Sequence, residues 1–277
     1  MKHPPLKHWV GNTTHYYVLA LFIAISVVLG TQIMDKTSVE YVKAAPVSID
    51  CSVGSPRDIT QGTDFASGDD LTLTGAGTCV LTNTASLASL TVGTVGGDAT
   101  VLTHTDNTTT HANDLDITTT GDIMIYSGAS INVNEKGYRY SEGTGAGTDF
   151  SGEGSGAGYG GRGGDGNDAD SGGAVYGSVK QPDDLGSGGG NDTECCGGPF
   201  LGGDGGGAVK LIASGTMTID GNIYANGGQG TGGSGQDAGG GSGGSVWLDA
   251  GTIAGSGTVT ANGGDSGDDA GAGGGGR

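Results

Sequence analysis

Proline is scarce in this chain, six residues among 277, and no Gly-X-Y register persists, which together exclude a collagen helix and a proline-stiffened linker. Bulky side chains are scarce too: four phenylalanines and two tryptophans cannot fill a thick globular core. With a net charge of -19, so small an apolar content lies where disorder is the default outcome. Basic residues are few, 11 Lys and Arg against 30 Asp and Glu, and they concentrate toward the N-terminus. A surface this acidic repels phosphate backbones, so nucleic acid is excluded as a partner.

What is present argues against disorder. Val18 to Leu29 reads VLALFIAISVVL, behind Lys2, Lys7 and three histidines. A positive start followed by an apolar helix marks an export signal, so residues 1–45 are read as a signal peptide or a signal-anchor helix that inserts in or crosses the membrane. A cut after Ala44 and a retained anchor are both compatible with it. The rest of the chain is expected outside the cytoplasm, secreted or at the cell surface. There an even count of four cysteines favours disulfides. Cys51 and Cys79 would staple the start of the exported part; adjacent Cys195 and Cys196 fit a vicinal or inter-chain bond better than a metal site.

Most of the 63 glycines fall after residue 120, where they alternate with strand-like blocks. GGGAVKLIASGTMTIDGNIYANGG (205–228) and GGSVWLDAGTIAGSGTVTANGG (243–264) align at offsets of 37 and then 36; SGASINV (127–133) is aligned with SGTMTID as an earlier copy. A self-similar period of this length indicates a repeat architecture. Period-two alternation puts Val209, Leu211 and Ala213 inward with Lys210 outward, and likewise Val246, Leu248 and Ala250 inward with Trp247 and Asp249 outward. Three short strands with Gly corners make one coil. The fold class expected is all-β, a right-handed parallel β-helix with glycine-rich loop excursions, after the N-terminal hydrophobic helix. Threonine-rich coils occupy 46–120 and glycine-rich repeats 121–277. Asn226 and Asn262 recur at one corner, as an amide ladder or as simple turn residues. The closing GAGGGGR resembles the opening of a further unit, so the chain is expected to stop within a repeat.

These blocks, GGGAVKLIASGTMTIDGNIYANGG and GGSVWLDAG, resemble the glycine-rich β-helix repeats of large bacterial surface and adhesin-like proteins of the pectin-lyase-like or hemagglutinin type. The resemblance covers roughly 121–277. It implies export and surface display, with no shared catalytic set.

The favoured function is therefore a non-catalytic structural or adhesion-like surface module. Its expected contacts are surface glycans or other surface proteins, or its own kind through open helix ends. A polysaccharide lyase or hydrolase is the alternative, although the acidic pairs Asp69-Asp70, Asp183-Asp184 and Asp268-Asp269 fall in turn-like segments. A calcium-dependent matrix protein is the third reading. GGDGNDADS (163–171) and GGSGQDAGG (232–240) match the first six positions of a calcium nonapeptide, making Asp165, Asp168 and Asp170 candidate ligands, but the apolar eighth position is missing. No other cofactor is expected. His104 and His111 read as surface residues in preference to weak metal ligands, and Tyr138, Tyr140, Tyr159, Tyr176, Tyr224 and Trp247 as outward or loop aromatics that either cover neighbouring coils or stack on sugars or partners.

Overall fold

The computed structural model describes residues 45–166, 171–193, 200–232, 237–267 and 269–277. The hydrophobic segment 18–29, Cys195, Cys196, Asp168, Asp170 and Asp268 lie outside them. The described residues are all-β, and no helix among them is long and apolar enough to cross a membrane.

Fourteen strands pair in parallel, as expected of a chain that winds in one direction. Following the pairing, three columns emerge. The first stacks β5 (Ala85–Leu87), β8 (Leu115–Thr119), and the opening halves of β11 (Ala208–Ile219) and β13 (Ser245–Ala254). The second stacks β1 (Pro46–Asp50), β3 (Asp70–Thr74), β6 (Ser89–Val92), β9 (Ile123–Ile125), and the closing halves of β11 and β13. The third stacks β2 (Arg57–Ile59), β4 (Thr78–Leu81), β7 (Val101–His104), β10 (Ser130–Asn132), β12 (Asn222–Tyr224) and β14 (Thr258–Thr260). From β3 onward the chain visits them in constant order, a parallel β-solenoid. Because β11 and β13 run through two columns, those columns merge into one sheet; the corner between them is a bulge between Ala213 and Thr216.

Stacking places like above like. Ile49, Leu73, Val92, Ile125 and Ile219 form one inward ladder across five coils, each buried. Every such side chain contributes about 1.5–3 kcal/mol, which is how a chain poor in large residues assembles a core. Val209, Leu211 and Ala213 are inward as the alternation predicts; Val246, Leu248 and Ala250, in the last described coil, are only partly buried against the core. Cys51 and Cys79 are bonded, closing a sequence separation of 28.

The observed register corrects one alignment. Ile131 pairs with Ile223 and Met217 with Ile123, so SGASINV lies beside the strand that follows SGTMTID, one column later. Small-and-alternating patterns recur in every column, so similarity alone cannot distinguish adjacent ones.

The described parts of the glycine tracts are packed structure rather than loose excursions. They leave the third column after β10, β12 and β14, and two of them return to the first column at β11 and β13. Residues 238–244 show the principle. The N–H groups of Ala238, Gly241 and Gly244 donate to Thr231, Gly228 and Ala225; those of Gly239 and Ser242 to Gly190 and Ser187; those of Gly240 and Gly243 to Gly271 and Gly274. Each third residue thus faces the same neighbour, the period of a polyproline II helix, which has no internal hydrogen bonds. The carbonyls of Gly239 and Ser242 accept from Gly203 and Gly206, that of Gly240 from Ala157 and that of Gly241 from Gly264. Six extended segments therefore surround this one, and 238–244 is wholly buried.

Glycine is required here by proximity. A Cβ on Gly241 would lie 2.2 Å from the Asp204 carbonyl oxygen, and one on Gly239 2.0 Å from that of Ser155. No described glycine from 227 to 244 has a positive φ. At the corner where the tracts begin, asparagines form a ladder: Asn226 N–H donates to Asn134 Oδ1 at 2.8 Å and Asn262 N–H to Asn226 Oδ1 at 2.7 Å. It links side chain to backbone, and Asn134 extends it to a third coil.

Gly241→Ala is expected to destabilise the protein by about 3 kcal/mol or more, since rigid backbone must move. Gly275→Ala, whose Cβ would meet nothing nearer than 4.0 Å, is expected to be nearly neutral. Denaturant midpoints of the two variants check the contrast.

Candidate functional site

One cleft brings together a histidine, a lysine and four aspartates. It encloses about 210 Å³ beside the first column and is lined by His111, Asp114, Asp116, Asp183, Asp184 and Lys210, over a floor that includes Leu115 and Val209. The solenoid brings them together from three separated stretches. Asp116 and Lys210 are 94 residues apart in sequence but adjacent in register, and Lys210 Nζ lies 3.0 Å from Asp116 Oδ2. Trp247 occupies the next register position, with the Lys210 ammonium 5.2 Å from its ring centre, a cation–π contact. Lys210 is thus held between a carboxylate and an indole.

The loop 105–114 supplies His111 and Asp114 to the cleft. Asn107 organises the loop: its Oδ1 accepts from Ala112 and Asn113 N–H, and its Nδ2 donates to the carbonyls of Asn113 and Lys136. His111 Nε2 lies 3.4 Å from Asp114 Oδ2. Hydrogen bonding to Asp114 raises the His111 pKa above its ordinary value despite partial burial, and the charges of Asp114, Asp184 and Asp183 add to it; the same bond lowers that of Asp114. Asp183 and Asp184 form no ion pair with Lys or Arg among the described residues. Behind Asp184 lie Tyr159 and Tyr176, rings 4.7 Å apart. Burial raises the pKa of both, and the Asp184 charge contributes.

Several sequence expectations need revision. His104 is fully buried, not a surface residue, and Tyr159 is buried with its hydroxyl 2.6 Å from Ser245 Oγ. Asp183-Asp184, read as a turn, walls the cleft. Of the three calcium candidates only Asp165 lies among the described residues, with its Oδ1 2.7 Å from Arg162 Nη2 and 2.8 Å from the Gly172 N–H. The cleft itself was hidden because residues 133–207, which also supply Asp183 and Asp184, separate Lys210 from Asp116 along the chain; a repeat alignment with that insertion opened would have set Lys210 against Asp116.

The fold is thus that of a parallel β-solenoid carrying a polyproline II glycine bundle on one corner. No protein-family model, curated protein or solved structure matches the chain.

The His111–Asp114 pair has a defined signature. Its stabilisation is fully present below about pH 6.5 and is lost as pH rises through the raised folded value. Asp114→Asn is expected to return the His111 titration, followed by NMR of the imidazole C–H, toward 6.5.

Proposed function

We propose that this chain is an exported structural or adhesion-like surface module, non-catalytic, whose right-handed β-solenoid holds a cleft and the glycine bundle in fixed positions. The observation that carries this reading is the continuity of hydrogen bonding from solenoid into bundle: coils, asparagine corner and glycine segments form one stiff body. Right-handed winding follows from the strong preference of parallel β crossovers. The Cys51–Cys79 disulfide suits an oxidising compartment, in accord with the apolar N-terminal segment. Such a body contributes rigidity and reach, and its cleft contributes contacts. Carboxylates, an ammonium and an indole side by side favour a hydroxyl-rich ligand such as a surface glycan, which takes hydrogen bonds from one edge and ring stacking on the other. On intact producing cells, a membrane-impermeant amine reagent is expected to modify exposed Lys180. Labelling that appears only after lysis would overturn the export reading.

The carboxylates of the cleft favour a second reading, a glycan-cleaving enzyme, since paired acids on one wall can serve as proton donor and base. The non-catalytic reading expects no release of reducing ends from oligosaccharides by the full chain. Release that disappears in an Asp183→Asn/Asp184→Asn variant would establish the enzyme instead.

A further inference from the structure

His104 stands where packing calls for an aliphatic residue. It ends β7 in register with Leu81, which is in register with Ile59, and both those side chains are buried. The His104 ring is fully buried as well. Its Nδ1 lies 2.7 Å from the Thr105 carbonyl oxygen, so Nδ1 carries the proton and Nε2 is left as an acceptor. Nε2 has no hydrogen-bond partner. The Gly207 backbone closes over it: a Cβ at that position would be 2.5 Å from Nε2. A second proton on this ring would place a charge and a donor against backbone with nothing to receive them.

The chain leaves His104 directly into the loop 105–114, a wall of the cleft, and returns to the stack at Leu115. His111 lies on that loop and pairs with Asp114. We propose that the loop is an acid-released wall, with His104 as the inner latch and His111 as the outer one. As pH falls, His111 takes its proton first, which strengthens its bond to Asp114 and keeps the wall seated. The proton that reaches His104 later disrupts the inner seat, and ring and loop move out together. Burial holds the His104 pKa below its ordinary value; the Thr105 carbonyl and the Asp114 charge act upward, and the charges of Lys136 and His111 act downward. The sign is therefore fixed: the stability of the seated loop is present above about pH 6.5 and lost as pH falls through the depressed folded value. The proposal adds regulation to the cleft read above as the contact site, but its test needs no ligand and so stands or fails apart from that reading.

Hydrogen exchange of the full chain at pH 7, 6, 5 and 4, corrected for intrinsic rates, is the experiment. The hydrogen-bonded loop amides, those of Asn107, Ala112 and Asn113, are expected to lose protection at least tenfold between pH 6 and 4, while those of β6 keep theirs; in His104→Leu, which repeats the side chain of Leu81 one coil earlier, they stay protected. Loss at the same pH in wild type and His104→Leu, retention in the wild type down to pH 4, or simultaneous loss in β6 would each overturn the proposal. NMR titration of wild-type His104 decides independently of any variant: a ring pKa below 6.5, with loop resonances shifting at the same midpoint, supports the latch, and titration at the ordinary value with a motionless loop refutes it.

Discussion

Everything distinctive about this structure depends on how closely glycine backbones approach one another. A polyproline II segment offers all its amide groups sideways, and buried amides must be bonded. Its partners have to surround it, at a separation that leaves no room for a Cβ. Around Gly239 and Gly241 the added atom would lie about 2 Å from a carbonyl oxygen, far inside contact distance. Glycine in the described part of 227–244 is thus set by interchain-like spacing within one chain rather than by a need for unusual dihedral angles.

Two architectures with different hydrogen-bond geometry meet in this molecule, and the asparagine corner reconciles them. In the solenoid each coil bonds to the one above and below; in the bundle each segment bonds in directions that change with every residue. Asn134, Asn226 and Asn262 stand at the changeover, each of the first two supplying an acceptor to the backbone of the next. The inward ladders give the solenoid its apolar core, while the bundle is held together mostly by backbone. That division explains how an acidic chain with few large side chains folds at all.

The solenoid was legible in the sequence because burial repeats every second residue. DLTLT is β3 from first residue to last, and Val209 does pair with Val246. The bundle was not legible, since polyglycine carries no side-chain pattern and its order lies in backbone contacts between distant segments. The cleft was hidden by the same insertion that builds the bundle. His104 was misjudged for a related reason: set among threonine and aspartate it reads as exposed, and only the register with Leu81 reveals that its position faces inward.

The surrounded segment 238–244 carries a consequence for how the protein assembles. Coils can be laid down one upon another as the chain proceeds, each resting on its predecessor. This segment draws on partners from Ala157 to Gly274, so its hydrogen bonds cannot be completed by local growth; they demand closure of long loops first. Nucleation and propagation describe the solenoid, whereas the bundle is a convergence event in which one segment waits for residues that precede it by a long stretch and for others that follow it.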